Sequence, residues 1–471
     1  MRRALSQPCG RRAFSAGSGE AVLVLGAGLV AGPAVELLSR QGAREIVLVS
    51  GIEGEASDLV ARLGRTNVSA VTMDCTDITA VREQMAKSSA VLSLLPATMH
   101  QEVAVASIDH GVPLVTASYV SEEMFGLQSA AEAAGVPILG EMGLDPGMDH
   151  MSAMEMIDAA AAAGASVRSF KSVCGGLPAP EAANNMLRYK FSWSPRGVLT
   201  AASNNAKWLE NGKVKVVDGD LLAHSVPTDA IPTLNLEALP NRDSLPYKEA
   251  YNLHDAETVY RGTLRYRGFC ERVLGLQKMG LLSQDAEDIA SFGELFAPQD
   301  VESSFEPEQA ECVAWLRAQA ALLEANGTSG PYPTKVDAMT AVLDSIPALQ
   351  FEDHERDMCA LQHELEIMWT EDAALRAGIE FVGNSNGLML ERRISRMIAF
   401  GSDQKGGETS MAKTVGLTAA AGVELMLESG IGERPAAGVH IPTAPTVYEP
   451  VLEMLAKEGL RFQEESTYSA V

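Results

Sequence analysis

Short, continuous apolar runs alternate with amphipathic stretches through the N-terminal third of the chain. Ala21–Leu25 is such a run; Gly26-Ala27-Gly28 follows it, and then Val30, Ala34, Leu37 and Leu38 recur at helical spacing. Runs of this kind suit strands buried on both faces. The rhythm returns at Ile46–Val49, Val68–Met73, Ala90–Leu95, Pro113–Thr116 and Val136–Leu139, with helix-period segments between. This predicts βαβ units and a parallel sheet. Beyond an alanine-rich helix at 151–163 the pattern changes. Val167–Val173 and Val259–Tyr266 read as strands, Leu361–Trp369 alternates with period two, and Arg392–Phe400 is its expected partner. Helical spacing dominates from 270 to 348, broken at Gly327–Pro333. Glu408–Ser429 is a long helix of small residues, expected to return to the first unit.

The turn after the first run carries the first candidate chemistry. Gly26, Gly28 and Ala31 form a G-x-G-x-x-A pattern between a strand and a helix. Glycines there let the backbone approach a pyrophosphate, and the helix N-terminus favours its negative charge. At the end of the second strand a dinucleotide fold distinguishes its two nicotinamide cofactors. Position 50 is Ser, neither the usual acid nor an arginine, and Glu53 and Glu55 follow. These carboxylates would repel a 2'-phosphate, whereas Ser50 can bond a ribose hydroxyl. NAD is therefore favoured, and NADP stays open should Arg44 or Arg62 reach that corner.

Charge and composition narrow the partners. The 471 residues suffice for two or three domains, and the formal charge of −25 argues against nucleic acid and anionic membrane. An anionic substrate must therefore meet a local group of arginines. Six scattered cysteines lack C-x-x-C spacing and eight histidines lack H-E-x-x-H, so reduced thiols and no metal site are expected. Val415–Leu427, the nearest approach to a membrane-length run, carries Glu424. Residues 1–19 hold Arg2, Arg3, Arg11 and Arg12, several serines and no acid, the composition of a mitochondrial presequence directing the chain to the matrix. Patterning leaves oligomeric state open, a homodimer included.

Glu141 to His150 leave the Val136–Leu139 strand at the edge where parallel sheets hold ligands. Asp145 before Pro146 either serves chemistry or caps the next helix, and His150 is a site residue or a core residue. Arg242 and Arg265 either grip carboxylates or pair with surface acids such as Asp243. With GLDPGMDH at 143–150 stand CGGLPAPE at 174–181, YKFSWSPRG at 189–197, PNRDSLPYKE at 240–249, RGTLRYRGF at 261–269 and MAKTVG at 411–416.

On these six ordered motifs the chain, from about Val22 to its end, resembles saccharopine dehydrogenases of the glutamate-forming kind. The resemblance implies an α/β architecture in three parts. A Rossmann-type, doubly wound parallel sheet spans 20–143 and is completed by 406–471; a mixed α/β substrate domain spans 144–269 and 349–405, with a helical insertion at 270–348. It implies cofactor contacts from Gly26, Ala27, Gly28, Leu29, Val30 and Ser50, with Asp74, Cys75 and Leu92 near the adenine. Ser118 and Tyr119 would lie where cofactor and substrate meet, and Leu144, Asp145, Pro146, Gly147, Met148 and Asp149 beside the nicotinamide. Ser194, Arg242, Thr263, Leu264 and Arg265 would touch saccharopine. Asp145, Tyr119 and Cys174 are the catalytic candidates, with Asp149 and His150 behind them. Ser50 departs from fungal NADP-using members, which have arginine there. The chemistry agrees: saccharopine has three carboxylates and a secondary amine, and arginine's planar fork grips carboxylates bidentately. A scaffold without activity, or an oxidoreductase for another amine or aldehyde, would have no need of these arginines.

Overall fold

In the computed structural model of the protein the described residues are 21–40, 44–328, 330–383, 387–427 and 432–471. The presequence expected at 1–19, Cys9, and the end of the helix expected to reach Ser429 lie outside them.

The apolar runs become β1 (Ala21–Leu25), β2 (Glu45–Ser50), β3 (Val68–Thr72), β4 (Ala90–Ser93), β5 (Leu114–Thr116) and β6 (Pro137–Leu139). The second half supplies β7 (Ser166–Pro178), β8 (Ala206–Glu210), β9 (Lys213–Val217), β10 (Val226–Thr228), β11 (Leu236–Pro240), β12 (Thr258–Tyr266), β13 (Asp357–Thr370) and β14 (Leu388–Phe400). Two short segments follow, β15 (Gly438–His440) and β16 (Gln463–Ala470). The first sheet runs β15-β6-β5-β4-β1-β2-β3, with every pair parallel. Its order reverses beside β1, where a doubly wound sheet opens a crevice for ligands. The second sheet runs β10-β11-β12-β7-β13-β14-β16 and is mixed: β12 lies parallel to β7, its other neighbours antiparallel. β13 and β14 pair as the alternation predicts. Two assignments change. The strand expected to end at Val173 runs on to Pro178, because β13 pairs with it along that whole stretch and β12 pairs with it as far as Cys174. The terminal strand β16 pairs with β14, so the chain beyond residue 462 completes the second sheet and not the first.

The layers share cores. One face of the first sheet is covered by a cluster of its own, including Leu23, Val91 and Ile138. Its other face and one face of the second sheet pack on a common cluster that holds the Met148–Ala163 and Ser410–Met426 helices between them. The far face of the second sheet meets the helices of 269–345. Small residues allow the middle layer: Gly416 lies so close to the Ala31–Ser39 helix that a Cβ on it would stand 2.7 Å from Val30 O and 3.0 Å from Ala34 N. No helix among the described residues is long and apolar enough to cross a membrane.

Because both obstructing atoms are backbone, Gly416→Val should cost about 1 to 3 kcal/mol, as overpacking does. Thermal unfolding checks this; an unchanged midpoint would mean that the two helices slide apart freely.

Candidate active site

The cofactor cradle forms where β1 turns into the Ala31–Ser39 helix. Gly26 has φ +101°, and a Cβ on it would meet Leu94 O at 3.1 Å. Above Gly28 the nearest atom to such a Cβ is Glu55 Oε1 at 4.0 Å, and no side chain caps the helix's first turn. Open space over glycine and uncapped N–H groups are what a pyrophosphate needs, so the residues fit a dinucleotide.

Across the carboxyl edge of the same sheet, the loop after β6 folds tightly. Gly147, at φ +145°, is so close to Gly143 that no side chain fits there. Leu144, Pro146, Gly147, Met148 and Asp149 are buried, and within 144–149 only Asp145 is partly open. Its carboxylate does not cap the following helix. Oδ1 accepts from Tyr119 Oη at 2.7 Å and from Arg261 Nη2 at 2.5 Å. The same Nη2 donates to Asp149 Oδ2 at 2.6 Å and to Tyr119 Oη at 3.2 Å. Arg261 Nη1 is buried and has no hydrogen-bond partner among the described residues. Flat groups hold the guanidinium from both sides. It lies 4.3 Å from the Tyr247 ring centre and 5.6 Å from that of Tyr119, while Arg242 stacks over Tyr119 at 4.9 Å and His150 over Tyr247 at 5.5 Å.

A second polar network fixes the loop that carries Tyr119. Glu141, in the left-handed region at φ +60°, takes the Val120 N–H at Oε1 (2.9 Å) and pairs through Oε2 with His150 Nε2 (2.7 Å). His150 Nδ1 bonds Tyr251, so His150 is a fully buried core residue. Ser118 Oγ bonds His100, whose other nitrogen meets Ser93. Burial pushes the His100 pKa down to about 4, so that ring is neutral.

The electrostatics separate the two acids. Burial raises the Asp145 carboxyl above the usual range, with Arg261 opposing. Burial acts the same way on Asp149, but His150, Arg261 and the Gly147 N–H outweigh it and hold Asp149 below that range. Burial also pushes the Tyr119 hydroxyl well up, so it carries its proton at neutral pH.

Comparison with known proteins agrees with this arrangement. Residues 22–139 match the model described as the saccharopine dehydrogenase NADP binding domain, and residues 143–460 match the saccharopine dehydrogenase C-terminal domain. The chain belongs to the saccharopine dehydrogenase family. Two curated relatives are each 34% identical: the NADP(+), L-glutamate-forming saccharopine dehydrogenase of Schizosaccharomyces pombe, over 94% of this chain and 98% of its own, and that of Saccharomyces cerevisiae, over 95% and 99%. The mitochondrial alpha-aminoadipic semialdehyde synthase of Mus musculus is 35% identical, and the match covers 95% of this chain but 48% of that relative. A solved apo saccharopine dehydrogenase (L-Glu forming) from Saccharomyces cerevisiae superposes with a TM-score of 0.77 at 33% identity, covering 95% of this chain and all of its own.

Against the family motifs, the structure gathers some of the expected residues and sets others aside. Tyr119, Asp145 and Asp149 meet at Arg261, which sequence reading passed over, and Arg242 joins them through the Tyr119 ring. Its signal was the period-two row Arg261, Thr263, Arg265 on β12, whose side chains share one face. Leu264 lies on the opposite face against Gly175, so it offers a ligand only backbone. Arg265 is no surface ion pair: it is buried, stacked on Tyr189 and Phe269, and gives Nη1 to Leu264 O at 2.8 Å. Asp243 pairs instead with Lys207. Ser194 caps the Pro195–Ala202 helix through the Gly197 N–H. Cys174, buried in β7 opposite Thr263, has its thiol pushed far up by burial, which keeps it protonated. Leu92 is fully buried in the sheet. Asp74 sits exposed past β3, bonded to Thr76, with Cys75 buried behind it. The five cysteines among the described residues are free thiols, and no group of three or more potential ligands there could hold a metal.

Removing Arg261 should strand two buried carboxylates. Arg261→Met should lower unfolding free energy by about 3 to 5 kcal/mol, and adding Asp149→Asn should restore about 1 kcal/mol or more. Urea denaturation of Arg261→Met, Asp149→Asn and the double variant tests this; destabilisations that simply add would show that Asp149 does not depend on Arg261.

Proposed function

We propose that the protein is an NAD-linked, glutamate-forming saccharopine dehydrogenase acting in lysine degradation, in the mitochondrial matrix. The observation that carries this reading is the row on β12. Arg261 and Arg265 are four residues apart on one face, about 13 Å along an extended strand, with partly open Thr263 between them. A long tricarboxylate matches that spacing, and the orphan Nη1 of Arg261 is a donor awaiting an acceptor. Exposed Arg242, held over Tyr119 with its backbone at φ +55°, supplies a third cation. Strain of this kind persists where surrounding structure enforces it, commonly at functional sites. The names of the relatives supply the substrate class.

A bound NAD, held by the glycine turn and the β2 corner, would supply the hydride acceptor for the carbon beside the substrate's secondary amine, and the amine would become an imine. The chain's own residues then move protons. Tyr119 Oη takes a proton from the amine or from the attacking water as its own proton passes to Asp145 Oδ1, to which it already donates. Asp145 suits reception because burial raises its proton affinity, and Asp149 stays ionised to balance Arg261. Water adds to the imine carbon and one of its protons passes through Tyr119 and Asp145 to nitrogen; the remaining hydroxyl proton follows by the same route as the C–N bond breaks, which releases glutamate and the aldehyde.

The NAD assignment rests on the β2 corner. The fungal relatives are NADP(+) enzymes by name, yet Ser50 occupies the arginine's place. The two arginines considered for that corner are paired with acids, Arg44 with Glu424 at 2.6 Å and Arg62 with Glu408 at 3.6 Å. The arginine-rich residues 1–19 and the mitochondrial mammalian relative favour the matrix.

Mixing the protein with saccharopine and NAD should raise absorbance at 340 nm (nicotinamide reduction) and release glutamate. Catalytic efficiency with NAD should exceed that with NADP by about ten- to a hundredfold. Absence of reduction with either cofactor would overturn the activity, and equal efficiencies would overturn the cofactor choice. A base must be deprotonated to act, so activity should rise with pH along a limb lying above the ordinary carboxylate range of about 4. Asp145→Asn should abolish that limb and lower kcat by about 10² to 10⁴; an unaltered profile would remove Asp145 from proton transfer.

A further inference from the structure

Ser50 ends β2 at the corner where a bound dinucleotide places its adenosine ribose. Its hydroxyl is already engaged. Ser50 Oγ donates to Glu55 Oε2 and accepts the Ile52 N–H at 3.0 Å. A hydroxyl has one proton, so Ser50 has none left for a ribose oxygen. Glu55 is half-buried at the start of the Glu55–Leu63 helix, where a carboxylate is stabilised by the helix N-terminus. Its second oxygen, Oε1, faces the glycine-rich turn, 4.0 Å from where a Gly28 Cβ would stand. Apart from Gly28 and its chain neighbours, it is the one atom of the described residues within 4 Å of that position. Glu53, by contrast, is exposed and bonds neither Ser50 nor Glu55.

We propose that Glu55, held by Ser50, receives the adenosine ribose diol and sets the choice between the two nicotinamide cofactors. The proposal rests on the NAD reading above for the identity of the ligand. A carboxylate accepts from vicinal hydroxyls in charge-assisted bonds, and it opposes a 2'-phosphate of like charge placed at the same point. The acid that such folds keep at the strand end is here supplied five residues later, by the next helix, and Ser50 tethers it to that end.

Titration calorimetry of the full-length protein with NADH and with NADPH tests this without any saccharopine turnover. Wild type should bind NADH tighter by about tenfold or more, Glu55→Gln should narrow that ratio by about tenfold, and Ser50→Ala should weaken NADH by only about threefold. Greater damage from Ser50→Ala than from Glu55→Gln would return the ribose contact to Ser50 and overturn the proposal. So would a wild-type preference for NADPH, or unchanged affinities in Glu55→Gln. Should Glu55→Gln fail to fold, Glu55→Asp keeps the charge but draws it back; it should weaken NADH without improving NADPH, and wild-type NADH affinity in that variant would count against the assignment. Intact NADH selectivity without saccharopine oxidation would fail the dehydrogenase reading and leave this one standing.

Discussion

A buried guanidinium is expensive, and the arrangement around Arg261 follows from that cost. Moving an isolated cation into a protein interior costs several kcal/mol unless paired and hydrogen-bonded. Asp145 and Asp149 come from the loop closing the first sheet, Tyr119 from the loop after β5, and Tyr247 from the segment beyond β11. Satisfying one side chain on β12 therefore fastens the two sheets at the place where the cofactor edge meets the substrate face. Burial pushes Asp145 towards its protonated form, with the Asp149 charge adding to it and Arg261 opposing, while His150, Arg261 and the Gly147 N–H hold Asp149 ionised against the same burial.

The same pairing explains the backbone strain nearby. Glu141 and Arg242 both adopt positive φ without being glycine. Glu141 thereby reaches Val120 and His150 at once, and Arg242 reaches the outer face of Tyr119. The result is a stack of alternating planes from Arg242 through Tyr119, Arg261 and Tyr247 to His150, in which each ring keeps its neighbour from tilting. Rigid placement matters for the proton transfer proposed above, because geometry governs such transfers before acidity does.

An acidic protein proposed to take a tricarboxylate must keep some of its cations from its own carboxylates. The chain carries 62 acids against 37 Lys and Arg, and many arginines are taken up in ion pairs. Arg242 and Arg265 are held instead by aromatic faces, which restrain a guanidinium without neutralising it. Arg261 is neutralised in part yet keeps one donor unpaired.

The sequence by itself determined the parallel sheet, the glycine cradle and the family, because these depend on local periodicity and on contiguous motifs. Strand position was legible wherever apolar runs were unbroken, as at Ala21–Leu25; Asp145 drew attention because it lies in a contiguous motif, and Tyr119 only through the family resemblance. Only the tertiary structure decided which arginine mattered. Arg261, Asp149 and Tyr247 are separated by up to 112 residues and meet through strand pairing that no local pattern encodes. It also decided that β7 runs on past Val173 to Pro178, since pairing with β13 overrides the glycines there. Glu55 shows the limit most plainly. In the sequence it is one of two nearby carboxylates that would repel a phosphate, with Ser50 as the ribose partner; the fold joins Glu55, and not Glu53, to Ser50.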